Sequence, residues 1–232
     1  MDSPARLARI GARAAEEVPD GSLIGLGSGS TAEAMVRALA ERVAGGLRIT
    51  GVATSSATAA LATSLGIPLR QLSEIDMLDL CIDGADEIDP ALNLVKGRGG
   101  ALLHEKLVAV RARRLVIIAS SEKLVDRLGS RLPIPVEVVP FGWRHTAERV
   151  RALGLEPTLR MVIGDTPFFT DGGHHILDCT GGPIDAPAAM AGALKGVTGV
   201  VDHGLFIGMA DLALTIDEHG IITEHIPSAR SA

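Results

Sequence analysis

The stretch Leu23-Ile-Gly-Leu-Gly-Ser-Gly-Ser-Thr31 decides the fold. Leu23 to Leu26 is short and apolar, the pattern of a strand buried on both faces. It runs directly into Gly25-Leu-Gly-Ser-Gly-Ser-Thr31. Met35, Val36, Leu39 and Val43 then recur at helical spacing until Gly45-Gly46 ends the pattern. Strand, glycine-rich loop and helix in that order predict one unit of a parallel sheet. The loop offers backbone N–H groups, a helix N-terminus and the hydroxyls of Ser28, Ser30 and Thr31, which together suit an anion such as phosphate. A tight turn capped by Ser or Thr would carry the same residues. Ser30 occupies the third glycine position of the dinucleotide fingerprint, and no Gly-Lys-Ser/Thr follows. Neither a dinucleotide site nor a Walker loop is therefore expected.

Working outward, Leu7, Ile10 and Ala14 mark an upstream helix, and Pro19-Asp-Gly21 a turn. Downstream, Arg48–Ala53, Leu78–Ile82 and Leu115–Ala119 read as further strands. Between the last two lies a helix with Leu103, Leu107 and Val110 in one apolar stripe. The rhythm changes near Leu132-Pro-Ile-Pro135. From there the pattern predicts strand (Val136–Val139), helix (Trp143–Leu153), strand (Thr158–Ile163), strand (His174–Cys179), helix (Ala186–Leu194) and strand (Val197–Asp202). That β-α-β-β-α-β order is ferredoxin-like. The chain then returns through Leu205–Met209 and Asp211–Ile216. The expected fold is α/β: a Rossmann-like parallel-sheet domain (1–131 and 204–232) with a smaller α+β, ferredoxin-like domain (132–203) inserted near the C-terminus.

Bulk properties narrow the partners. The 232 residues carry 22 Lys and Arg against 28 Asp and Glu, a formal charge of -6, which argues against nucleic acid as the main partner. Aromatic residues make up only 2 %, so base-stacking platforms are not expected either. No apolar run approaches the ~20 residues of a membrane span, and Met1-Asp-Ser-Pro-Ala-Arg6 has no apolar signal core, so a cytoplasmic protein is expected. Cys81 and Cys179 stand far apart and read as buried, reduced thiols.

Three further segments could carry chemistry. Asp83-Gly-Ala-Asp-Glu-Ile-Asp89 follows an apolar run, where open α/β sheets bind ligands. Four acids within seven residues repel one another unless something uses or neutralises them, although a solvated acidic loop would look alike. The spacing does not match a calcium-binding loop. Lys96-Gly-Arg-Gly-Gly-Ala-Leu-Leu-His-Glu105 places a lysine beside a glycine-rich turn that opens a helix, a second candidate anion or oxyanion site. Glu105 points away from the Leu103/Leu107/Val110 stripe and is either a cleft carboxylate or a surface acid near a helix N-terminus. Lys123, after the strand Leu115–Ala119, is by itself an ordinary solvated lysine. His174-His175 sits in a strand, where adjacent side chains face opposite ways, and no third ligand shows a metal-site spacing, so no metal is expected.

Taken together, these segments resemble the type A family of ribose-5-phosphate isomerases. The resemblance covers Gly25–Thr31, Asp83-Gly-Ala-Asp-Glu87, Lys96–Glu105, Lys123 and Pro133-Ile-Pro-Val-Glu-Val-Val-Pro140, in the family's order, with weaker echoes in Thr170-Asp-Gly-Gly and Gly204-Leu-Phe-Ile-Gly. It implies that Glu105 is the general base that moves a proton between C1 and C2 through a cis-enediolate. It implies that Asp83 assists ring opening, and that Asp86 and Lys96 hold sugar hydroxyls and the developing oxyanion. Ser28, Gly29, Ser30, Thr31, Gly84, Ala85, Gly97, Arg98, Gly99 and Lys123 are the implied substrate-binding positions. The family works without metal or organic cofactor and as a homodimer or homotetramer. Two positions depart from it: Ser28 replaces a threonine, and Arg98 stands where the family has glycine, which would be strained if that backbone required a positive φ.

Two other classes compete. A sugar-phosphate-sensing effector domain would keep the phosphate loop without needing Glu105 or the acidic run, but would want a basic DNA-reading segment. A sugar-phosphate deaminase would use a histidine relay, and a CoA transferase a glutamate nucleophile. The ordered set of motifs favours the isomerase.

Overall fold

In the computed structural model, which describes residues 3–227, the chain forms two compact units. Among the described residues, the first comprises 3–85, 104–123 and 209–227, and the second 86–103 and 124–208.

The first unit is built on a six-stranded sheet. Its order is Ile222–His225, Leu212–Ile216, Leu115–Ser120, Leu80–Gly84, Ser22–Leu26 and Ile49–Ala53. Every neighbouring pair runs parallel except the edge strand Ile222–His225, which is antiparallel to its partner. Alternation along the strand Ser22–Leu26 shows why helices cover both faces. Ile24 and Leu26 enter a core with Ile10 and Ala14 of the helix Ser3–Ala15 and Met35, Val36 and Leu39 of the helix Ser30–Ala44. Each of the larger of these side chains contributes roughly 1.5–3 kcal/mol by leaving water. Gly25 faces the other way, and a Cβ there would lie 2.6 Å from Val108 Cγ1. The missing side chain lets the helix Leu102–Ala109 sit directly on the strand.

That helix corrects the sequence reading. Leu107 and Val110 are 46 % and 59 % exposed, whereas Leu102, Glu105, Val108 and Ala109 are buried. The apolar stripe inferred from spacing faces out, and the face with the carboxylate faces in. Both faces carry enough apolar residues to satisfy a helical period, so spacing alone had no means of choosing between them. The helix Ser56–Ser64 and the edge strand Ile222–His225 add to the predicted elements.

In the second unit, Ile134–Val138, Glu156–Leu159, His175–Thr180 and Val200–His203 form an antiparallel sheet. Its order is Val200–His203, Ile134–Val138, His175–Thr180, Glu156–Leu159. With the helices Trp143–Arg151 and Pro187–Lys195 this gives the β-α-β-β-α-β arrangement and strand order of a ferredoxin-like unit. Its core gathers Val136, Val138, Val150, Leu177 and Leu194. The expected single strand Thr158–Ile163 is broken. It stops at Leu159, and Met161–Val162 pairs instead with Thr166–Pro167. Gly164 and Asp165 both take positive φ, the backbone of a tight hairpin turn. A further small sheet joins Glu87–Ile88, Leu94–Val95 and Leu205–Phe206.

Both cysteines are buried and unbridged. Burial, with the nearby Asp178 charge adding to it, pushes the Cys179 thiol up to about 12. The thiolate is the reactive form, so the native protein at pH 8 should leave Cys179 unalkylated by iodoacetamide. Mass spectrometry should find it modified only after unfolding in denaturant.

Candidate active site

The loop after the strand Ser22–Leu26 is held by a carboxylate from the next strand. Asp83 is 1 % exposed and lies inside the strand Leu80–Gly84, one residue from its end. Its Oδ1 accepts the backbone N–H groups of Ser28 (3.0 Å) and Gly84 (2.7 Å). Gly27 makes this possible: a Cβ there would fall 2.2 Å from Asp83 Oδ1. The Ser28 hydroxyl lies within hydrogen-bond distance of the Thr54, Ser55 and Thr58 hydroxyls, at 2.7–3.2 Å. Thr54 and Thr58 in turn donate to the carbonyls of Leu26 and Gly27. Gly29 is the N-cap of the helix Ser30–Ala44, with Ser30 exposed and Thr31 half-buried on its first turn.

Sequence reasoning missed Thr54, Ser55 and Thr58. The signal was present as Thr54-Ser-Ser-Ala-Thr58 after a strand, the pattern of a capped helix start, and Ser55 does cap the helix Ser56–Ser64 through the N–H of Thr58.

Glu105 belongs to the same unit and is 5 % exposed, which removes the surface reading. Lys123, half-buried, ends a single 3₁₀ turn that follows the strand Leu115–Ser120. A cavity of about 410 Å³ in this unit is lined by Ser55, Ala59, Arg70, His104 and Leu107, among others, and by none of the predicted site residues.

In the second unit, each acid of the run that begins at Asp83 has its own backbone donors. Asp86 Oδ2 accepts the N–H of Arg98 at 2.9 Å. Glu87, 1 % exposed, accepts those of Gly129, Arg131 and Leu132 at 2.6–2.9 Å. Asp89 accepts the N–H groups of Ala91 and Asn93 and the side-chain amide of Asn93. Lys96 is 3 % exposed, with its ammonium 5.6 Å from the centre of the Phe206 ring. Arg98 is exposed and escapes the feared strain: among the described residues only Leu92 and Asp165 are non-glycine residues with positive φ. Two charged residues that the motifs did not suggest hold this loop, Arg160 and its partner Asp178. With Asp86, Arg98, Leu132 and Pro133 they line a cavity of about 300 Å³.

Glu87 gives a direct test of this arrangement. Glu87→Ala deletes the acceptor of three amides in a partly buried turn, at about 1–3 kcal/mol for a group left unsatisfied. A loss of roughly 2–4 kcal/mol in urea-unfolding stability is expected.

Known proteins match the chain along most of its length. The model of the family described as ribose 5-phosphate isomerase A (phosphoriboisomerase A) matches residues 50–220. The ribose-5-phosphate isomerase A of Thermomicrobium roseum is 56 % identical over 209 residues, covering 90 % of this chain and 88 % of the relative. That of a Roseiflexus species is 51 % identical and covers 99 % of this chain and all of the relative. A solved D-ribose-5-phosphate isomerase in complex with phospho-erythronic acid superposes with a TM-score of 0.93 at 34 % identity, covering 97 % of this chain and 100 % of that one. The enzyme from Methanocaldococcus jannaschii gives 0.91 at 33 % identity, with the same coverage. The chain belongs to the ribose 5-phosphate isomerase A family of aldose-ketose isomerases.

Proposed function

We propose that the chain interconverts D-ribose 5-phosphate and D-ribulose 5-phosphate with Glu105 as the general base. The observation that carries the base assignment is a carboxylate 5 % exposed on the inward face of the helix Leu102–Ala109. A base that removes a proton alpha to a carbonyl needs fixed geometry and little competing water. Glu105 takes the proton from C2 of the open-chain aldose, and the electron pair moves onto the C1 oxygen to give a cis-enediolate. Return of the proton to C1, with the O2 hydroxyl proton passing to O1, leaves the ketone at C2. Nothing is added or lost, so the step needs no redox partner and, on this reading, no metal or organic cofactor.

Asp83 is proposed to assist ring opening, and Lys96 and Asp86 to meet the sugar hydroxyls and the enediolate charge, where a fixed cation lowers the barrier most. Ser28 to Thr31, Gly84, Ala85, Gly97, Arg98, Gly99 and Lys123 are the proposed binding positions. The exposed N-terminus of the helix Ser30–Ala44 is suited to a phosphate. The phosphorylated sugar acid bound by the solved relative supports a ligand of that class here. A cytoplasmic homodimer or homotetramer is the proposed working form. Met161, Val162, Ile163 and Phe169, exposed around one hairpin, support self-association.

Purified protein in EDTA should convert ribose 5-phosphate to ribulose 5-phosphate at enzymatic rates. Loss of turnover in EDTA, restored by a divalent ion, would overturn the metal-free mechanism. Glu105→Gln should lower kcat at least about 1,000-fold while leaving substrate binding by calorimetry within about threefold. Near-normal turnover by that variant would remove Glu105 as the base.

A further inference from the structure

The loop from Lys96 to Gly100 contains three glycines and carries a residue proposed above to meet developing charge. Such a loop has many conformations to lose, and a catalytic group on it acts at full strength only if they are lost before the substrate arrives. Two charged side chains grip its backbone from opposite polarities. Asp86 takes the N–H of Arg98, and Arg160 Nη1 donates to the carbonyls of both Gly97 and Arg98, each at 3.0 Å. The rest of the guanidinium is spoken for. Nε donates to Asp178 Oδ2 at 2.9 Å, and Nη2 donates to Asp178 Oδ1. The Phe168 ring lies 5.8 Å from the guanidinium carbon.

The base of the side chain is fixed as well. The N–H of Arg160 donates to Ile176 O at 2.8 Å, and its carbonyl accepts the N–H of Phe168 at 2.9 Å. The Arg160 side chain is 15 % exposed, so this is not a solvated surface pair. Only a planar fork reaches a carboxylate on one edge and two carbonyls on the other, and an ammonium has no such geometry.

We infer that Arg160, oriented by Asp178, is a positioning residue of the isomerase: it fixes the Gly97–Arg98 peptides and so presets Lys96 for the enediolate. The role rests on the isomerase reading above and adds to it a residue pair outside the implied site.

The test compares the unaltered protein with Arg160→Gln, Arg160→Lys, Lys96→Met and the double variant Arg160→Gln/Lys96→Met. The readouts are kcat and KM for ribose 5-phosphate and amide hydrogen exchange across residues 97–101. Arg160→Gln should lower kcat about 10- to 100-fold with KM changed less than about threefold. Arg160→Lys, which keeps the charge, should not restore it. Exchange of the loop amides should quicken at least about tenfold in both. Because Arg160 acts through Lys96, its replacement should cost less than about threefold once Lys96 is already Met. A kcat unchanged by Arg160→Gln, an equal loss in both Lys96 backgrounds, or unaltered loop exchange would overturn the role. No turnover by the unaltered protein would overturn the isomerase reading and this role with it, while loop exchange would still report the clamp.

Discussion

Irregular backbone between strands and helices leaves N–H donors without partners, and a buried donor left so costs about 1–3 kcal/mol. The segment from Asp83 to Asp89 answers that constraint. Asp83 holds the amides of Ser28 and Gly84, Asp86 that of Arg98, Glu87 three amides between Gly129 and Leu132, and Asp89 the turn through Asn93. Four like charges within seven residues would otherwise repel. Here each is directed at a separate set of backbone dipoles, and the acidic run becomes the set of pins from which the loops hang.

This arrangement changes how the acidic residues are understood. Asp83 and Asp86 are proposed for sugar chemistry, and each also fixes the backbone of a glycine-rich loop that carries other proposed site residues. A carboxylate with one oxygen on a loop amide is held in place for whatever its other oxygen meets. Binding and preorganisation are then two consequences of one placement. The same logic extends to Arg160 and Asp178, whose paired charges serve two loop carbonyls.

Glycine appears in this design as missing volume. Gly25 admits Val108, which seats the helix bearing Glu105, and Gly27 admits the Asp83 carboxylate. Both glycines lie in the stretch that suits either a phosphate or a capped turn. Part of the reason that stretch is rich in glycine is thus the close approach of two neighbouring elements, independent of any ligand.

The sequence alone determined most of the order of strands and helices, though not the helix Ser56–Ser64, the edge strand Ile222–His225 or the break after Leu159, and the change from a parallel to a ferredoxin-like unit, because periodicity and glycine punctuation are local properties of the chain. Through its ordered motifs it also pointed to the family. It did not determine which face of the helix Leu102–Ala109 is buried, because Leu107 and Val110 are as apolar as the residues that do face in. Nor did it determine what the acids and Arg160 hold. Asp83 meets Ser28 across 55 residues and Arg160 meets Gly97 across 63, and such partners exist only once sheet order has brought distant segments together. The tertiary structure decided those pairings, because hydrogen bonds and burial depend on proximity in space, which no local pattern of residues encodes.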